Sequence, residues 1–65
     1  MDSIIITLRA ARINAGLSAS EVAEKIGVSS KTVCNWELGK TKPRFNQVKA
    51  LCSIYQVPEN CVKVP

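Results

Sequence analysis

The amino-acid sequence predicts an all-α fold, a compact domain of five short helices around one core. Three observations carry that expectation. Apolar residues recur at helical spacing in successive short windows, Gly16, Gly27 and Gly39 fall where those windows end, and Ser18-Ala19-Ser20-Glu21 spells a helix-initiating capping box. At 65 residues the chain has room for one domain, residues 1–65, and one small core. No repeat, linker or low-complexity segment divides it.

The first helix is expected from about Ser3 to Ala15. Ile4, Leu8, Ala11 and Ala15 stand at i, i+4, i+7 and i+11, one apolar face of an amphipathic helix, and Gly16 terminates it. Ile6 and Ile13 fall on the opposite side, open to a later helix or a partner subunit. In the second helix the Ser18 hydroxyl accepts from a first-turn amide and Glu21 reaches back to Ser18. Ala19, Val22, Ala23 and Ile26 share its inner face, Ser20, Glu21, Glu24 and Lys25 lie away from it, and Gly27 stops it. Ser29 caps the third helix, where Val33 and Trp36 point one way with Glu37 beside them. Ser30, Lys31, Cys34, Asn35 and Leu38 occupy its other side, and Gly39 ends it. A loop from Lys40 to Arg44, stiffened by Pro43, leads to a fourth helix with the apolar stripe Phe45, Val48, Leu51, Cys52 and Tyr55. Pro58 and Glu59 fit the first turn of a short fifth helix, since proline tolerates that position and an acid favours the positive helix end.

Composition removes several function classes. No apolar run approaches the roughly 20 residues that span a bilayer, and Thr7 and Arg9 break up the apolar stretch that a secretory signal would need. A cytoplasmic protein without a membrane partner is expected. Cys34, Cys52 and Cys61 are odd in number and widely spaced, so they form neither a disulfide framework nor a Cys-x-x-Cys ligand pair. The chain has no histidine, which excludes the usual zinc sites and His-based acids, bases and nucleophile pairs. The reading is of a non-enzyme with no cofactor, no metal and no small-molecule ligand.

The formal charge is +4, and its distribution is uneven. Between Lys31 and Arg44, four cations (Lys31, Lys40, Lys42 and Arg44) are opposed only by Glu37. Such asymmetry suits a polyanion, although most basic patches are only solvated surface. Two short helices joined by a tight glycine turn, the second polar on its outer side, are the arrangement that inserts a helix into the DNA major groove. That groove, about 12 Å wide, admits a helix whose side chains meet base edges. Lys31 can donate to guanine, Asn35 can pair bidentately with adenine, and Ser30 can serve either. Cys34 has two readings, a contact to a thymine methyl and, more commonly, a small filler. Trp36 also has two, core packing and stacking on a flipped base; its phase with Val33 favours the core. Arg12 and Glu37 sit at the edges of two apolar faces, placed either for a partly buried ion pair or as separate surface charges.

These residues resemble the phage repressor-like (Cro/C1, XRE) helix-turn-helix DNA-binding family over about Leu8 to Val62. The marks are Arg12 before Gly16-Leu17-Ser18, Val22-Ala23 followed by Ile26-Gly27-Val28-Ser29, and Trp36-Glu37-x-Gly39-Lys40-x-x-Pro43. The resemblance implies a lambda repressor-like fold of five helices. It also implies a third helix in the major groove, a homodimer on a two-fold symmetric operator in double-stranded DNA, and a role in regulating transcription. It makes Ser30, Lys31, Cys34 and Asn35 the base-facing positions. Ser18, Ser20, the second-helix amides, Lys40, Thr41, Lys42 and Arg44 become the phosphate-facing ones, and Arg12 with Glu37 a structural ion pair. Two positions depart from the pattern. The family often carries Gln directly after the second-helix cap, where this chain has Ala19, which implies modest affinity; and Leu38 replaces a commoner polar residue, with no function evident. The alternative is a protein-interaction module, antitoxin-like or an adaptor, on the same fold, and Ile6, Ile13, Leu38 and Ile54 as surface residues give it weight.

Overall fold

The structure, a computed structural model, describes residues 5–63. Its elements run β1 (Ile6–Thr7), α1 (Leu8–Asn14), α2 (Ala19–Ile26), α3 (Ser30–Leu38), α4 (Phe45–Tyr55), a 3-10 turn (Glu59–Cys61) and β2 (Val62–Lys63). The fold is therefore mainly helical, but with four α-helices among the described residues rather than five. No helix among them is long and apolar enough to cross a membrane.

Both ends of the expected helical array are corrected. The first helix begins at Leu8, because Thr7 is extended (φ −74°, ψ 160°) and its hydroxyl accepts from the Ala10 amide at 3.1 Å. Ser3 and Ile4, where that helix was expected to begin, lie outside the described residues. Ile6 and Thr7 instead pair in parallel with Val62 and Lys63. Ala15 lies one position past the last helical residue and is exposed. At the other end Pro58 is extended (φ −66°, ψ 145°) and sits at the N-cap, outside the first turn it was expected to start. Only one 3-10 turn follows before the pairing of Val62 with Ile6 draws the backbone out straight.

The helix starts are set by local chemistry. Ser18 and Glu21 form the capping box, with Ser18 Oγ accepting from the Glu21 amide at 3.1 Å and Glu21 Oε1 accepting from the Ser18 amide at 2.8 Å. Those hydrogen bonds hold the Glu21 carboxyl below its ordinary range. Ser29 Oγ accepts from the Thr32 amide at 3.2 Å and starts α3.

All four helices end in the same way. A left-handed residue follows, directly after α2, α3 and α4 and one residue later, at Gly16, after α1, and the next amide reaches back to a carbonyl five residues earlier: Leu17 to Arg12 at 3.2 Å, Val28 to Ala23 at 3.0 Å, Lys40 to Asn35 at 2.9 Å and Val57 to Cys52 at 3.0 Å. Glycine holds the left-handed position in three of them. After α4 it is Gln56, at φ 58°.

One hydrophobic cluster gathers Leu8 and Ala11 of α1, Val22 and Ala23 of α2, Val33 and Trp36 of α3, and Leu51 and Tyr55 of α4. Ile6 and Ile54, expected at the surface, are partly buried and pack against it. Phe45, expected on the inner stripe of α4, is 71% exposed. It lies in phase with that stripe but at the first helical residue, beyond the reach of the core, and the Lys49 ammonium stands 5.4 Å from its ring centroid.

Candidate nucleic-acid interface

The α2–α3 unit turns at Gly27, whose φ of 90° is costly for any residue with a Cβ. The residue after it, Val28, packs back onto the core, so the turn is fastened on its inner side. Val33 and Trp36, only 1% and 3% exposed, then fix the inner face of α3. Each such burial contributes on the order of 1.5–3 kcal/mol. The helix can thus present its opposite face without depending on that face for stability.

That opposite face carries Lys31, Cys34, Asn35 and Leu38 at i, i+3, i+4 and i+7, with Ser30 at its leading edge. Ser30, Lys31, Cys34 and Leu38 are exposed, and Asn35 is half-buried. The Asn35 carbonyl accepts the Lys40 amide at 2.9 Å and the Thr41 amide at 3.4 Å, so the end of α3 folds the basic loop back on itself. Lys40, Thr41, Lys42 and Arg44 are exposed along this loop, while Pro43 between them is buried and pins it. Ser18 and Ser20 are exposed at the start of α2. Ser18 Oγ is already accepting from Glu21, which leaves its hydroxyl proton to donate outward.

The start of α4 differs from the other three. Thr7, Ser18 and Ser29 each accept an amide of the helix they precede, but Arg44 at the N-cap of α4 has no acceptor to offer. Only the reverse half of a capping box forms, with the Arg44 amide donating to Gln47 Oε1 at 2.7 Å. The first amides of α4, at Phe45, Asn46 and Gln47, find no acceptor among the described residues. They add partial positive charge beside Lys42 and Arg44. The signal in the sequence is the proline–arginine step before α4, which puts a side chain without an acceptor at the cap.

Behind the face lies the pair of Arg12 and Glu37. Arg12 Nε donates to Glu37 Oε2 at 2.7 Å, Nη2 donates to Oε1 at 3.2 Å, and Nη1 donates to the Leu17 carbonyl at 3.0 Å. The two side chains are 15% and 7% exposed, and the hydrogen bonds to Glu37 raise the Arg12 guanidinium above its ordinary value. Tyr55 packs nearby, its phenol pushed up to about 12 by burial and then by the Glu37 charge.

Two residues of this region were missed as site residues by sequence reasoning. Arg9, one turn before Arg12, lines a cleft of about 310 Å³ with Arg12, Cys34, Glu37 and Leu38. It is exposed and forms no ion pair among the described residues. Leu38 closes the other side of the cleft and is 69% exposed. The signal for Arg9 was its i, i+3 relation to Arg12. A second cleft, about 430 Å³, lies between the ends of α1 and α4 and holds none of the α3 face.

Residues 6–62 match a protein family described as a helix-turn-helix domain. No curated protein and no solved structure matches the chain. A helix-turn-helix domain supports DNA binding and is typically without catalytic activity. With nearly the whole of the described chain inside that match, and α2 and α3 joined through the left-handed Gly27, this protein belongs to the helix-turn-helix domain family.

Proposed function

We propose that the chain is a sequence-specific, double-stranded-DNA-binding transcriptional regulator of the phage repressor-like type. It places α3 in the major groove and acts in the cytoplasm as a homodimer on a two-fold symmetric operator. The observation that carries this reading is the division of α3. Val33 and Trp36 are sunk in the core while Lys31, Cys34 and Asn35 stand on the opposite side, followed directly by a basic loop and the uncapped start of α4.

In this reading Lys31 donates to guanine O6 and N7, Asn35 spans adenine N6 and N7, and Ser30 and Cys34 take the flanking base edges. Ser18 and Ser20 at one helix start, and Lys40, Thr41, Lys42 and Arg44 before another, hold phosphates on either side of the groove. Arg12 and Glu37 keep α3 at a fixed angle to α1. Ala19 contributes no phosphate contact, so the loop and the α4 amides supply most of the backbone affinity.

Selection of bound sites from random duplexes tests the reading. A motif with two-fold symmetry is the expected result, and failure to retain any duplex at low salt would sink the proposal. The alternative, a protein-interaction module, draws on exposed Ile13, Leu38 and Phe45. It loses Ile6 and Ile54, which pack against the core.

A further inference from the structure

Leu38 is the one large apolar side chain on the outer face of α3, and the core does not use it. It stands at i+7 from Lys31 and i+4 from Cys34, on the midline of the face that carries the polar residues and at its C-terminal end. Seven residues of helix advance by about 10 Å, close to three base-pair steps of about 3.4 Å, so a helix lying along the groove carries Leu38 about three base pairs beyond Lys31. Its neighbours in the cleft are Cys34, itself weakly polar, the cation Arg9, and Arg12 and Glu37, whose charges are paired with each other. An apolar protein surface seated on Leu38 would have to strip water from Lys31 and Arg9, which have no ion-pair partner among the described residues. A duplex satisfies both demands, because its phosphates take the cations and its major groove offers one apolar group, the thymine C5-methyl.

Resting on the DNA-binding reading, we propose that Leu38, backed by Cys34, is a specificity-determining residue that reads a thymine methyl in each half-site of the operator. Leu38 shields the methyl from water on its open side, Cys34 packs along its flank, and the Arg9 guanidinium holds the adjoining phosphate.

The test removes the methyl and nothing else. In the site selected by the wild-type protein, each thymine is replaced in turn by deoxyuridine, and binding is measured for wild type, Leu38→Asn and Leu38→Ser. The wild type is expected to lose about three- to ten-fold in affinity at one position per half-site, the scale of one buried methyl group. Both variants are expected to bind thymine and uracil equally at that position while keeping the wild-type preference at the positions assigned to Lys31 and Asn35. Because Leu38 is exposed, the variants should match the wild type in urea unfolding, which shows that they fold. Indifference of the wild type to every uracil substitution, or variants that keep the same uracil penalty, overturns the proposal while leaving DNA binding intact. Absence of binding to any duplex overturns both.

Discussion

Arg12 ties together three parts of the domain through one side chain, meeting Glu37 of α3, 25 residues away, while also holding the Leu17 carbonyl in the turn before α2. The forked guanidinium presents three nitrogens in fixed directions, and each of them donates a hydrogen bond. The orientation of α3 is thus coupled to the turn that precedes the helix-turn-helix unit.

A double-mutant cycle measures that coupling. Arg12→Ala, Glu37→Ala and the double variant, unfolded in urea and followed by the fluorescence of the single Trp36, should show a coupling of about 1–3 kcal/mol. Arg12→Lys should recover little of it, because an ammonium cannot span both Glu37 oxygens and the Leu17 carbonyl. Additive single effects would show that the pair stabilises nothing beyond its separate charges.

Gln56 occupies a left-handed position that the other three helix ends give to glycine. A residue with a Cβ is disfavoured there, and the cost is partly offset by the greater unfolded-state freedom of glycine. Gln56→Gly should therefore raise stability by about 0.5–1 kcal/mol, read as a higher urea midpoint at unchanged slope. The opposite substitution at the α2–α3 turn, Gly27→Ala, should lower it by about 1 kcal/mol or more.

Tyr55 is the only tyrosine, so the phenolate absorbance of the folded protein reports it alone. It should titrate near pH 12 instead of near 10. Since the folded value lies above the ordinary one, the stabilisation from Tyr55 is complete below about pH 10 and is lost as pH rises through 12. Tyr55→Phe should flatten that part of the stability profile. An ordinary titration midpoint in the folded state would mean that the hydroxyl is solvated.

On duplex DNA, Asn35→Ala should relax preference at one base position per half-site, by about 1–3 kcal/mol, with little change in stability. Lys42→Ala should weaken all duplexes alike and reduce the slope of log affinity against log salt by about one charge. Competition between the selected site and its single-base variants separates the two patterns. Uniform loss for both Asn35→Ala and Lys31→Ala would remove α3 from the reading role.

What could be read from the sequence was mostly local chemistry. Ser18 with Glu21, Ser29 before α3, and glycine after α1, α2 and α3 act within a turn of where they sit, and their spacing alone places the helix ends. Val33 and Trp36 against Lys31 and Asn35 is likewise a matter of phase along one helix. Features that depend on distant partners were not legible. Ile6 was out of phase with Leu8 and Ala11, but so was Ile13, which is helical, and the strand partner that sets Ile6 apart, Val62, lies at the far end of the chain. Phe45 had the correct phase for the core of α4, yet phase does not say where a core stops. Pro58 fitted a helix start one residue earlier than the turn it precedes, and only the pairing of Val62 explains why that turn does not continue. Leu38 could be placed on the outer face of α3, but its shared cleft with Arg9 depends on how α1 crosses α3.

The two-residue ladder of Ile6–Thr7 with Val62–Lys63 constrains the order in which the molecule can assemble. Contacts between α2 and α3 join neighbours in the chain and need little loop closure, whereas the ladder closes a loop containing every helix. During synthesis the helix-turn-helix unit can therefore form while Val62 is still unmade. Only the pairing of Ile6 and Thr7 must wait for it. Arg12, carried on α1, reaches Glu37 across 25 residues, a longer loop than the contacts within the α2–α3 unit have to close, so α3 can form before that pair fixes its angle to α1.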